Sequence, residues 1–202
     1  MYGIFGGSFN PPHNAHVVIG TLAVEVLHLE KLYVVPSYAP PHKTTTCLAP
    51  FEKRLLWVKK AFSKVKKVEV VDIESTLPTP SYALRTIEWF EKNVGKEICF
   101  LVGEDALSYL EKWYRYRELL GKVRSIAVYP RYCNKPFEEH ARSVLKDLYS
   151  KIVWLDLPII QLSATRIRER AKKGLPINGM VPESIEESVL TYYKGASVNG
   201  GP

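Results

Sequence analysis

The sequence is short of three things: long apolar runs, cysteine and acidic charge. It holds no run of about 18 apolar residues, so a membrane-spanning helix is not expected. Its opening residues, Met1-Tyr2-Gly3-Ile4-Phe5, lack the basic stretch and long apolar core of a signal peptide, which argues against export. Cysteine occurs only at Cys47, Cys99 and Cys133, far apart and in no C-x-x-C spacing. That argues against a disulfide framework or a zinc knuckle and fits a reducing cytoplasm. Cys99 stands inside an apolar run and reads as core. Acidic side chains number 21 against 28 basic ones, a formal net charge of +7. Such a surplus favours anionic partners (nucleic acid, a membrane surface or phosphorylated metabolites) without choosing among them. The densest basic stretch, residues 59–67, interleaves with Ala61, Phe62 and Val65 and reads as a solvated helix face.

What is present is an ordinary globular mixture, 46% apolar and 24% charged over 202 residues, enough for one domain with a sizeable core. Short apolar runs rich in Val and Ile fall at 2–5, 32–35, 68–73, 98–102, 125–129 and 152–155, as expected of buried parallel strands. Between and after them the spacing predicts helices over 15–27, 51–62, 82–93, 105–110, 137–148, 163–173 and 182–193. In the first helix the apolar positions 15, 18, 19, 22, 23, 26 and 27 share one face. Alternation over the whole length predicts an α/β fold, a doubly wound parallel sheet with right-handed crossovers. Residues 1–194 read as a single domain and the Gly-rich 195–202 as a flexible tail. In such a sheet ligands bind beyond the carboxyl ends of the strands, so functional motifs should follow strands directly.

The first strand is followed by Gly6-Gly7-Ser8-Phe9-Asn10-Pro11-Pro12-His13-Asn14-Ala15-His16. Adjacent glycines let backbone N–H groups approach an anion, and the prolines fix the path of the loop. His13 and His16 are spaced to share a face at a helix start, where the positive end of the helix dipole adds to their ring N–H groups. The loop is neither a G-x-G-x-x-G fingerprint nor a P-loop. Two imidazoles without a nearby third ligand make a poor zinc site, so no protein metal site is expected. Near the other end, Gln161-Leu162-Ser163-Ala164-Thr165-Arg166-Ile167-Arg168 begins a helix. Ser163 can cap it, Thr165 lies in its first turn, and Arg168 offers a planar charged fork to an anion.

These two segments resemble, in order, the (T/S)-x-x-x-P-x-H-x-G-H and I-S-S-T-x-I-R signatures of the nucleotidyltransferase superfamily. Ala15 stands where the first signature has Gly, and Ala164 where the second has its middle Ser. Three further segments narrow the likeness: Pro40-Pro41-His42-Lys43, Pro80-Ser81-Tyr82, and Gly103-Glu104-Asp105-Ala106-Leu107 with Trp113 beyond it. Together they resemble the bacterial nicotinate-nucleotide adenylyltransferases over nearly the whole chain.

The resemblance implies a Rossmann-like nucleotidyltransferase fold and adenylyl transfer from ATP to nicotinate mononucleotide, with Mg²⁺ entering on the triphosphate. It implies that His13 and His16 are catalytic. ATP would be held by Gly6, Gly7, Ser8, Phe9 and His16, by Gly103 and Asp105 at the ribose, and by Ser163, Thr165 and Arg168 at the β- and γ-phosphates. Lys43 and His42 would contact phosphate. Ser81, Tyr82 and Ala83 would receive the nicotinate carboxylate, and Trp113 would stack on the pyridine. Arg131, after the fifth strand, would join the acceptor group close to the nucleotide. Ala83 replaces a Thr of the family's S-Y-T-x-D-T run, which removes a hydroxyl from the carboxylate site; backbone N–H groups around Ser81–Ala83 could still do that work, and Arg85 would compensate if it faced inward. The partners implied are small molecules, without nucleic acid or membrane, in the cytoplasm; self-association is left open. Rival readings keep the chemistry on nicotinamide mononucleotide or phosphopantetheine, or make the chain a basic nucleic-acid-binding module on a dead fold. Intact His13, His16 and Arg168 argue against the last.

Overall fold

Six of the apolar runs form one parallel sheet in the computed structural model of the chain, which describes residues 1–41, 48–131 and 135–198. The strands are β1 (Tyr2–Gly7), β2 (Lys31–Pro36), β3 (Val68–Val70), β4 (Ile98–Gly103), β5 (Ser125–Tyr129) and β6 (Ile152–Trp154). Their order is β3-β2-β1-β4-β5-β6, every neighbouring pair parallel. The helices are α1 (Asn14–Val26), α2 (Phe51–Phe62), α3 (Ala83–Asn93), α4 (Tyr116–Lys122), α5 (Lys135–Leu145), α6 (Ala164–Lys172) and α7 (Glu183–Val198).

Strand side chains alternate between the two faces of the sheet, and each face has its own core. Ile4, Ile98, Phe100, Val102, Ile126 and Val128 point to one side, where Leu84, Ile87 and Phe90 of α3 and Leu119 and Leu120 of α4 cover them. Phe5, Leu32, Val34, Cys99, Leu101 and Ala127 point to the other, against Ile19 and Ala23 of α1 and Val58 and Phe62 of α2. Each fully buried Leu, Ile or Phe contributes about 1.5–3 kcal/mol by leaving water. A third cluster joins Trp57 of α2, Ile167 and Ala171 of α6, and Ile185, Val189 and Tyr193 of α7. It seats the last two helices on α2 rather than on the sheet.

Several expected boundaries move. The strand expected over 68–73 ends at Val70, and Ile73–Ser75 forms a 3₁₀ turn instead. The helix expected over 105–110 is a kinked 3₁₀ segment, Glu104–Lys112, with Tyr109 at non-helical φ and ψ. α5 stops at Leu145 and gives way to the 3₁₀ stretch Lys146–Lys151. α4 was not expected: its seven residues are too few to show a period, and its N-cap, Arg115, sits at φ 51°. α7 runs to Val198, into the Gly-rich stretch.

The chain winds from β1 outward to β3, then returns to place β4 on the other side of β1. The carboxyl ends of β1 and β4 are thus the switch point, and the crevice there is bounded by Gly6 and Gly7 on one strand and Gly103 on the other.

Candidate active site

A cavity of about 750 Å³ opens at that crevice. Gly6, Gly7, Ser8, Phe9, His13, His16, Gly103, Asp105, Ser163, Thr165 and Arg168, every residue expected to hold ATP, line it together. Arg131, expected with the acceptor group, lines this cavity as well. An adjoining cavity of about 520 Å³ holds Ser81, Tyr82, Ala83 and Trp113. Gly6, Gly7, Pro41, Phe100, Tyr109 and Trp113 line both, so the two volumes meet across the glycines. Lys43 and His42 lie outside the described residues; Pro41 and Leu48, on either side of them, both line the first cavity.

His13 is the N-cap of α1 and His16 its third residue, and their rings stack at 3.7 Å with an 18° interplanar angle. The His13 backbone N–H donates to His16 Nδ1 at 3.1 Å. With Nδ1 accepting, a neutral His16 carries its proton on Nε2. His13 is 2% exposed, and burial, followed by the Arg131 charge, holds its imidazole down at about 3. It is therefore neutral near pH 7.

Phe9 stands behind these rings. Its backbone is in the left-handed region at φ 44°, which costs a non-glycine residue about 1–3 kcal/mol. The conformation turns its side chain into the core, 2% exposed, edge-on to Phe5 at 5.6 Å and to His16 at 5.0 Å. Its place is thus structural support of His16. At Gly6 a Cβ would find its nearest neighbour, a Phe100 ring carbon, at 3.6 Å. Nothing within the protein forbids a side chain there, so the room in front of Gly6 is room for a ligand. Gly103 differs: a Cβ would sit 2.6 Å from Asp105 Oδ1 and 2.9 Å from Arg131 Cδ. The glycine makes way for the Asp105–Arg131 ion pair, 3.2 Å long.

On the far side of the cavity Ser163 caps α6, its hydroxyl accepting from the Arg166 N–H at 3.3 Å. Arg168 donates to Thr165 Oγ1 at 3.2 Å and to the Asn10 carbonyl at 2.8 Å, which ties the two signature segments together. Tyr129, also on the wall, has its phenol pushed up to about 12 by burial and stays a neutral donor.

The acceptor side departs more from expectation. The Ser81 hydroxyl accepts from the Ala39 N–H at 2.8 Å, and the Ser81 N–H donates to the Ala39 carbonyl at 2.9 Å. The Tyr82 N–H is bonded to the Pro80 carbonyl. Ser81 therefore pins two loops together, and of the backbone at the start of α3 it is Ala83 that lines the cavity. The Tyr82 ring stacks on Tyr114 at 4.4 Å and 15°. Arg85 bonds the Pro78 and Pro80 carbonyls and lies over Tyr82, and it is not among the residues lining either cavity. Two residues passed over in the sequence line this cavity: Lys112, beside Trp113, and Glu74, which is 6% exposed. Glu74 accepts from the Tyr38 N–H at 3.1 Å and the Thr86 hydroxyl at 2.8 Å, so its charge is consumed in holding α3 to the loop after β2.

A third omission is Arg54. It is wholly buried on α2 and donates to the carbonyls of Ala49 at 2.9 Å, Ser8 at 2.7 Å and Tyr38 at 3.3 Å. Burial lowers its guanidinium pKa. The signal was available: residues 51, 54, 57, 58, 61 and 62 form the buried face of α2, and an arginine on such a face needs partners. Among the described residues no three His, Cys, Asp or Glu side chains gather as metal ligands, and no helix is long and apolar enough to cross a membrane.

Known proteins share this layout. The Cytidylyltransferase-like family matches residues 4–170. A protein of Thermotoga sp. (strain RQ2) named "Probable nicotinate-nucleotide adenylyltransferase" is 54% identical over 191 residues, 95% of each chain. A protein of the same name from Thermotoga maritima is 53% identical over 193 residues, 96% of this chain and 92% of that one. In three dimensions the chain is similar to Plasmodium falciparum nicotinic acid mononucleotide adenylyltransferase complexed with NaAD, at a TM-score of 0.75 and 17% identity, over 96% of this chain and 97% of that one. That likeness concerns the fold. The sequence matches carry the kinship, and the chain belongs to the cytidylyltransferase-like family, among the proteins named nicotinate-nucleotide adenylyltransferases.

Proposed function

We propose that the protein transfers the adenylyl group of ATP to nicotinate mononucleotide, giving nicotinate adenine dinucleotide and pyrophosphate, a step of NAD biosynthesis. One arrangement carries the reading. The phosphate-gripping groups of two remote segments share a cavity, and an aromatic cavity meets it across Gly6, Gly7 and Trp113. The names of the Thermotoga relatives and the NaAD held by the Plasmodium falciparum protein support the same acceptor.

No protein nucleophile is required. A phosphate oxygen of nicotinate mononucleotide attacks the α-phosphorus of ATP in line, and the bond to the bridging oxygen of the departing pyrophosphate breaks. The protein aligns the two ends and stabilises the charge that develops, alignment alone contributing about 7–11 kcal/mol. His16 donates from Nε2 to an α-phosphate oxygen, with His13 stacked beneath it as a second donor. Thr165 and Arg168, with the free N–H groups at the capped start of α6, take the β- and γ-phosphates. Asp105 receives the ribose hydroxyls, held in place by Arg131. On the acceptor side, Trp113 faces the pyridine, and the Ala83 N–H with Lys112 meets its carboxylate. The substrate is Mg·ATP: Mg²⁺ holds to few protein oxygens and neutralises phosphate charge through the triphosphate itself. This fits a cavity whose nearest carboxylate is already paired with Arg131.

Pyrophosphate release from Mg·ATP, followed in parallel with nicotinate mononucleotide, nicotinamide mononucleotide and phosphopantetheine, tests the reading. Release is expected with the first, and silence there would overturn the assignment.

A further inference from the structure

The loop after β1 is held from outside. Asn10 at its centre is 3% exposed. Its Oδ1 accepts from the Ala49 N–H at 3.0 Å and from the Tyr193 hydroxyl at 2.7 Å. Its carbonyl accepts from Arg168 at 2.8 Å. Three remote segments thus converge on a residue that stands just before His13. One of them, α7, lies wholly past residue 170, where the family match ends. The segment leading into α7 adds three more ties to the loop, from the Asn14 N–H to the Met180 carbonyl at 2.9 Å and from Asn14 Nδ2 to the carbonyls of Gly179 at 2.7 Å and Val181 at 3.3 Å.

We propose that Tyr193 is a positioning residue for ATP: through Asn10 its hydroxyl sets the loop carrying His13 and His16 against Arg168, so that both halves of the phosphate grip face one triphosphate. The proposal rests on the adenylyl-transfer reading above. Packing alone does not account for the hydroxyl. The Tyr193 ring fills the third core cluster beside Trp57, 6.0 Å away, and a phenylalanine would fill the same space. What the hydroxyl adds is the bond to Asn10, on the one loop where a small displacement misplaces both imidazoles. The acceptor cavity makes no contact with Asn10 or Tyr193. The effect should therefore be confined to ATP.

α7 supplies its own control. Ser188 accepts from Trp57 Nε1 at 3.0 Å, a bond of similar length from the same helix to the same core that does not include a residue of the loop. Pyrophosphate release by the full chain should be measured with each substrate varied in turn, for wild type, Tyr193→Phe and Ser188→Ala. Tyr193→Phe is expected to lower kcat/KM for ATP roughly three- to tenfold, the range of one net hydrogen bond, with KM for nicotinate mononucleotide unchanged. Both variants should lower the thermal midpoint by similar amounts, each losing one hydrogen bond, while Ser188→Ala leaves both kinetic constants at their wild-type values. Combined with Asn10→Ala, the Tyr193→Phe loss should vanish rather than add. Wild-type ATP kinetics in Tyr193→Phe, an equal rise in KM for both substrates, an equal loss in Ser188→Ala, or full additivity each overturns the proposal. A wild-type chain that releases no pyrophosphate sinks the adenylyl-transfer reading and this inference with it.

Discussion

His13 and His16 do different work although they are stacked. His16 lines the cavity with its Nδ1 taken by a backbone donor; in the proposed reaction, replacing it removes a donor to charge that grows as the bond to pyrophosphate breaks. His16→Ala should lower turnover at least about a hundredfold, at an unchanged far-ultraviolet circular dichroism spectrum. Near-normal turnover would remove it from the mechanism. His13 is the residue whose burial has a thermodynamic consequence. Its imidazole sits near 3 in the folded chain, against 6.5 ordinarily. Between those values the unfolded chain binds a proton that the folded chain refuses. Its contribution is therefore complete above 6.5 and is lost as pH falls toward 3, at about 1.4 kcal/mol per pH unit. Urea unfolding of wild type and His13→Gln across that range should show a steeper acid loss in wild type. Parallel curves would mean that His13 titrates normally.

Among the elements, α2 illustrates how a helix outside the site positions it. Its buried face carries Arg54, whose guanidinium reaches the carbonyl of Ser8 in the first loop and those of Tyr38 and Ala49 beyond β2. Three carbonyls depend on one side chain, and no carboxylate bonds it among the described residues. Arg54→Met keeps the apolar volume and orphans those acceptors. It should cost about 3 kcal/mol in a urea titration and raise KM for ATP by loosening the loop at Ser8. Unchanged stability would show that water replaces the guanidinium. α3 and the loop before it make the complementary case. In sequence the acceptor carboxylate falls to Tyr82 and the backbone around Ser81–Ala83; the Ser81 hydroxyl and N–H are both bonded to Ala39, which leaves Ala83 as the backbone that lines the cavity, with Lys112 beside it.

At the scale of the whole molecule the surplus of basic charge acts at a distance. Both proposed substrates are anions and both enter one crevice, so the +7 formal charge should assist capture rather than chemistry. Raising ionic strength from about 0.01 to 0.15 M contracts the Debye length from about 30 to about 8 Å. KM for ATP and for nicotinate mononucleotide should then rise while kcat holds. A salt-sensitive affinity for RNA without pyrophosphate release would point to the nucleic-acid-binding alternative instead.

The strand runs, the helices of period 3.6 and the two phosphate-gripping segments were all readable from residue order. Local pattern dictates the elements, since an apolar run between turn residues makes a strand and a capping serine starts a helix; the pairing of the two segments came from their resemblance to the family signatures. The short α4 and the 3₁₀ segments were not readable, because one or two turns carry no period. Nor was the use of Arg54, Glu74, Ser81 and Asn10. Each is a polar side chain whose partners stand far away in sequence: Ser81 bonds Ala39, and Asn10 bonds Ala49 and Tyr193. A side chain's chemistry is written in its own residue type. Whether a hydroxyl or a guanidinium is spent on the fold or left for a ligand depends on what the winding of the sheet brings beside it.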